Sequence, residues 1–168
     1  MLMSKPDPYF KLRPSPETPE DEICKCAEDK PMKLMGALSC NPLHCIDCNL
    51  EVFPESLPRD QVLVDAVASW RRTYDAIDWL WLESGEYEAW AKDQLVDMTS
   101  PVNQRGMALC EELSLLRKCY YWYFQDDTAE GFKPITLCPA CQQTLKAYGD
   151  GIFPQLICEE CRIITVGA

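Results

Sequence analysis

Two cysteine pairs close to the C-terminus constrain this chain more than any other feature. They are Cys138-Pro139-Ala140-Cys141 and Cys158-Glu159-Glu160-Cys161, with sixteen residues between them. A C-x2-C run makes a tight turn that aims two sulfurs at one point, and the separation of the pairs is that of a four-cysteine metal site. Backbone N–H groups of such turns can also hydrogen-bond the thiolates and fix them. Between the pairs, Tyr148-Gly149-Asp150-Gly151 reads as a hairpin turn, with QQTLKAY and IFPQLIC as its strands. RIITV after Cys161 is a further β-type run. Two knuckles on a small sheet make a zinc ribbon with Cys138, Cys141, Cys158 and Cys161 as ligands. A thioredoxin-like use of Cys-Pro-x-Cys needs the pair to open a helix after a strand, which the glycine-rich turn chemistry interrupts. Four sulfurs in a tetrahedron also admit iron. Neither pair is followed by the glycine common in rubredoxins, which favours zinc.

A second group lies in ICKCAEDKPMKLMGALSCNPLHCIDCNLEV. Its cleanest quartet is Cys24, Cys26, Cys45 and Cys48: C-x-C, eighteen residues, C-x2-C. Cys40 and His44 stand as alternates to these ligands. His44, the single histidine of the chain, adjoins Cys45. Neighbouring residues rarely reach one metal without strain, so His44 fits better beside the knuckle than in it. Two zinc ions per chain are expected. Cys110 and Cys119 lie nine residues apart on an expected helix and face nearly opposite directions. They read as buried small hydrophobes.

The middle of the chain is helical. Val62, Leu63, Ala66, Val67, Trp70, Tyr74, Ile77, Leu80 and Trp81 share one broad arc of a long amphipathic helix. Ser84 offers an N-cap for a second helix, GEYEAWAKDQLVDM. Ser100-Pro101 starts a third that runs to about Lys118, with Val102, Gly106, Leu109, Cys110, Leu113 and Leu116 on its apolar face. Trp79 falls outside the apolar arc of the first helix. Its ordinary explanation is packing under a metal module, and that of YYWYF at 120–124 is a buried strand. The functional alternative is an aromatic platform for a partner's hot spot or for stacked bases. Arg71, Arg72, Arg117 and Lys118 are the adjacent basic pairs that would accompany Trp79 on such a surface.

The net charge is −11, and each of the segments 1–57, 58–133 and 134–168 carries more acidic than basic residues. Nucleic-acid affinity comes largely from Lys and Arg displacing counterions, and no basic stripe is present. The start, MLMSKPDPYF, lacks the apolar run of a secretory signal, and no segment is apolar for long enough to span a membrane. A cytoplasmic protein is expected, where eleven cysteines serve metals better than disulfides. No Ser/His/Asp set, phosphate loop or dinucleotide motif appears, and cysteine-only quartets are closed, so no enzymatic activity is expected.

The layout resembles a proteobacterial zinc-ribbon family of unassigned function whose descriptive name suggests nucleic-acid binding. The resemblance rests on YDAIDWLWLESGEYEAWAKDQL, SPVNQRGMALCEEL, YYWYF and the closing LCPACQQTL…FPQLICEECRIIT. It implies zinc at Cys138, Cys141, Cys158 and Cys161, the positions that the spacing also gives. The expected fold is α+β: a central helical segment of about three helices (58–133) flanked by two small Cys-rich zinc modules. One is an N-terminal knuckle module (1–57) and the other a C-terminal β zinc ribbon (134–168). Two functions compete: a protein-interaction adaptor whose acidic, Trp-rich helices bind an unknown protein, and a nucleic-acid-binding zinc-ribbon protein. The charge favours the first.

Overall fold

The computed structural model describes residues 7–36, 40–57, 60–149 and 154–167. Asp60 starts the longest helix, α1 (Gln61–Glu83), by accepting hydrogen bonds from the N–H groups of Val62 and Leu63. A side-chain oxygen here satisfies donors that have no partner within the helix. Leu63, Val64, Val67, Trp70 and Tyr74 are buried along α1, whereas Val62 is exposed. The buried stripe is therefore narrower than the expected arc. Ile77 and Trp81 only lean on the core, and Trp81 meets Phe124 edge-on.

Helix α2 (Glu88–Val96) begins later than its sequence signal suggests. Ser84 ends α1, and its hydroxyl accepts the Tyr87 N–H at 3.0 Å, while Gly85 takes a positive φ of 65°. Helix α3 (Pro101–Ser114) does start at Ser100, which accepts the Asn103 N–H. It stops at Ser114 instead of running to Lys118. Ser114 Oγ is bonded to both the N–H and the carbonyl of Cys119, which turns the chain into a strand. Leu116, expected on the apolar face, is consequently exposed.

Six strands of three or four residues follow one another across a single sheet: β1 (Met32–Leu34), β2 (Leu43–Cys45), β3 (Cys119–Trp122), β4 (Lys146–Tyr148), β5 (Gln155–Cys158) and β6 (Ile163–Val166). The order is β2-β1-β3-β6-β5-β4. β3 pairs in parallel with β1 on one side and β6 on the other, and the remaining pairs are antiparallel. All three sequence segments thus contribute to one sheet, which differs from the expected pair of separate flanking modules. Three short 3-10 turns, Phe10–Leu12, Glu20–Glu22 and Pro54–Ser56, were likewise not anticipated. The expected hairpin turn lies partly outside the described residues, at Asp150 and Gly151.

One face of the sheet carries Met32, Leu34, Leu43, Cys119 and Tyr121 into the core against α1 and α3. Trp70 is at its centre. Its indole N–H donates to the Val102 carbonyl at 2.9 Å, and its ring meets Tyr121 edge-on at 6.0 Å. The other face gathers Ile46, Tyr120, Ile157 and Ile164. It is closed by curling of the sheet, because β4 and β5 reach the turn after β2. Tyr148 donates to Asp47 at 2.7 Å and Gln155 to the Ile46 carbonyl at 2.8 Å. No described helix is long and apolar enough to cross a membrane.

Gly106 lets α3 lie against the sheet. A Cβ there would stand 2.3 Å from Tyr121 Cε2 and 2.9 Å from Trp70 Nε1. Glycine to alanine in an exposed helix ordinarily gains about 1 kcal/mol. At Gly106 the extra carbon overpacks the core, which costs about 1–3 kcal/mol. Gly106→Ala should therefore lower the melting temperature, and a calorimetric scan showing it unchanged or raised would mean that Tyr121 yields freely.

Candidate metal centres

The structure brings the expected cysteines together as two clusters: Cys24, Cys26, Cys45 and Cys48 in one, Cys138, Cys141, Cys158 and Cys161 in the other. Within each, the four sulfurs all lie within 4.8 Å of one another. Tetrahedral thiolate coordination with metal–sulfur bonds of ~2.3 Å spaces sulfurs about 3.8 Å apart. Cys141 Sγ and Cys158 Sγ stand 3.7 Å apart. The donor chemistry and the spacing both fit a four-sulfur ion at each cluster.

The turns that aim these sulfurs repeat one backbone pattern. Cys45 donates its N–H to the Leu50 carbonyl at 2.9 Å and accepts the Asn49 N–H at 3.0 Å. Cys138 does the same with Gln143 at 2.8 Å and Gln142 at 2.9 Å. The residue after the second cysteine is left-handed in every C-x2-C turn: Asn49 (φ 62°), Gln142 (φ 62°) and Arg162 (φ 52°). These are the only non-glycine residues with positive φ among those described. The position is the one where rubredoxin-type sites place glycine, so the lack of glycine did not signal a different backbone. An L-residue held left-handed costs roughly 1–2 kcal/mol, least for asparagine.

Burial and backbone donors pull the thiols in opposite directions. Burial pushes the thiols of Cys24, Cys26, Cys138 and Cys161 upward. At Cys45 burial is overcome by the N–H groups of Cys48 and Asp47, and the thiol falls below its ordinary value. The N–H groups of Cys141 and Ala140 oppose burial at Cys138 in the same way. At Cys141 the Gln143 N–H prevails and lowers the thiol. Donors of this kind stabilise the charged sulfur that a metal requires.

The alternates stay out of the first cluster. Cys40 is half-buried and apart from it. His44 is buried on β2, opposite Lys33 of β1, and its Nδ1 has no hydrogen-bond partner. Burial, reinforced by the nearby Lys33 charge, pushes the imidazole down to about 4, so it is neutral. Cys110 and Cys119 overturn a sequence expectation. Because α3 ends at Ser114, Cys119 belongs to β3, and the two buried sulfurs face each other at 3.7 Å.

Trp79 is 66% exposed and packs under neither cluster. Most of YYWYF is buried, partly as β3. The four cations expected beside Trp79 are dispersed. Arg71 pairs with Asp75 along α1. Arg117 donates to the Lys30 carbonyl, and Lys118 pairs with Glu159 at 2.7 Å beside the second cluster. Arg72 alone remains exposed on α1, where it lines a groove with Ile77, Leu80 and Trp90. That groove was foreshadowed only by the surplus aromatics Tyr87 and Trp90.

No curated protein and no solved structure matches this chain. Residues 35–125 match a domain family described as of unknown function, DUF2310. The match holds Cys45 and Cys48, all three α-helices and β3, and ends before the second cluster. It covers more than half of the chain, which therefore belongs to the DUF2310 family.

Proposed function

We propose that this chain is a non-enzymatic adaptor in which two structural zinc ions hold a protein-binding face on α1 and α2. The observation that carries this reading is the aromatic surface that the fold leaves uncovered. Tyr87 and Trp90 are each more than half exposed around Leu80, and Trp79 is exposed elsewhere on α1, although the core accepts other aromatic rings fully. Exposed aromatics grouped around a depression are the usual anchors of protein interfaces.

Cys24, Cys26, Cys45 and Cys48 would hold one zinc, and Cys138, Cys141, Cys158 and Cys161 the other, on a C-terminal ribbon formed by β4–β6. Zinc bound by four cysteines has no open position, so its contribution is to folding, on the order of 10 kcal/mol per site in small zinc units. Reduced thiols at eleven positions suit a reducing compartment, which supports a cytoplasmic location. The rival reading, a nucleic-acid-binding ribbon, is poorly supported by the charge. Each zinc quartet adds about two negative charges to a chain already at −11. Lys118, the cation closest in sequence to β3, is engaged by Glu159.

The purified protein should carry two zinc ions by elemental analysis, and a count of one would remove the N-terminal assignment. Removing a ligand should act unequally. The first cluster packs against the main core with α1 and α3, the second against Tyr123, Leu145 and Ile163. Cys45→Ser should therefore abolish more helical circular dichroism than Cys158→Ser, which should lose the ribbon and keep most helix. Equal losses would mean that the two clusters unfold as one unit. Titration with labelled single- and double-stranded DNA and RNA at low salt, where charge attraction is strongest, should show no binding. Binding that weakens on a log–log salt slope would reverse the choice between the two readings. Finally, an identified protein partner should be retained by the wild type and lost by Tyr87→Ser/Trp90→Ser. Its retention by the variant would remove the aromatic face from the adaptor reading.

A further inference from the structure

We propose that the groove between α1 and α2 receives a cationic amphipathic helix, with an apolar stripe along the groove and Lys or Arg over its acidic end. The inference rests on the adaptor reading and names the partner's chemistry.

Two adjoining open surface depressions, about 560 and 360 Å³, share Leu80 and Trp90 as common walls. The first runs along α1 past Arg72, Thr73 and Ile77, and the second ends at Tyr87. From Ser69 to Leu80 the lining follows the three- and four-residue steps of one helix face, a length of about 16 Å at 1.5 Å per residue. That is about three turns, enough for the i, i+3/i+4, i+7 anchors by which a helix lies in a groove. The end beyond Leu80 is almost wholly apolar in its walls, with Tyr87 and Trp90 each about half exposed at 53% and 51%.

Charge selects the occupant. At the Tyr87 end, Glu83 lies one turn past Leu80 and Glu86 adjoins Tyr87; both are exposed. Lys92, the cation of α2, is engaged by Asp126 at 2.6 Å. The opposite end is different: Arg72 lines it, and Arg105 of α3 reaches Ser69 Oγ at 3.4 Å. The groove therefore combines an apolar floor with an acidic end, inside a chain of net charge −11. A helix rich in Lys or Arg meets an attractive field. A second copy of this chain, or a phosphate backbone, approaches against repulsion.

The test uses the full zinc-loaded chain and labelled twenty-residue peptides, read by fluorescence anisotropy. The first peptide has Leu at helical i, i+3/i+4, i+7 positions and Lys on its other face. The second replaces Lys by Glu, and the third scrambles the first. The Lys peptide should bind at least tenfold more tightly than the other two and displace the partner that the wild type retains. Trp90→Ala, at a half-exposed position that the core does not need, should weaken it about tenfold. Glu83→Lys/Glu86→Lys should also weaken it, and Arg72→Glu should tighten it. Equal binding of the scrambled peptide would reduce the effect to charge alone and overturn the proposal. Retention of a Trp90-dependent partner without binding of the Lys peptide would also overturn it, while leaving the adaptor reading in place. If neither partner nor peptide depends on Trp90, both readings fall together. Concentration-dependent self-association by sedimentation, lost in Trp90→Ala and weakened by Arg72→Glu, would make a second copy the occupant and overturn the peptide class.

Discussion

Tyr121 joins the parts of this protein that would not stand alone. Its backbone N–H donates to the Arg162 carbonyl at 2.8 Å, immediately after the last cysteine of the second cluster. Its register partner on the other side is Leu34 of β1. The phenol donates to Asn103 Oδ1 at 2.6 Å, and Asn103 in turn ties the α2–α3 connection through the carbonyls of Leu95 and Asp97. The ring lies over Gly106 and against Trp70. Strands of three or four residues form no stable sheet by themselves. Here each terminal segment borrows β3 as its parallel neighbour, and β3 is positioned by the helices behind Tyr121. The cysteine clusters at the two ends of the sheet are thus tied to the helical core through one central strand.

The sequence made some of this plain and hid the rest for identifiable reasons. Both cysteine quartets were legible because C-x2-C is a local turn and its spacing is short-range geometry. The helix start at Ser100 was legible, because a side-chain oxygen meets free N–H groups there. The end of α3 was not, because the periodicity of Leu109, Leu113 and Leu116 continues past it. What stops the helix is Ser114 bonding to Cys119, a contact visible only once the strand exists. The error at Cys110 and Cys119 follows directly from that misplaced helix end. The continuous sheet was hidden too. Its central pairings join β1 to β3 and β3 to β6, and parallel partners so distant in sequence leave no local mark.

Trp79, Tyr87 and Trp90 illustrate a different limit. Composition marks them as aromatic surplus, but exposure depends on which arc of α1 the sheet claims. Trp70 and Tyr74 take the buried arc, so Ile77, Leu80 and the α2 aromatics are left as the walls of a groove. The groove is a residue of how the core was satisfied, and the helical periodicity of α1 alone does not mark it.

Lys33 shows how the first cluster reaches into the fold. It is 2% exposed within the curl of the sheet, hydrogen-bonded to Gln155 at 3.1 Å and 4.4 Å above the Trp122 ring. Burial pushes its ammonium down to about 8, while the charges of Cys45 and Cys48 pull it upward. A buried charge is costly unless paired. Four thiolates around a dication carry a net charge of about −2, and such a cluster rewards a cation placed nearby. Gln155, which accepts from Lys33, also donates to the Ile46 carbonyl inside the first C-x2-C turn. One buried lysine therefore links the charge of the N-terminal cluster to β5, which ends at Cys158 of the other cluster.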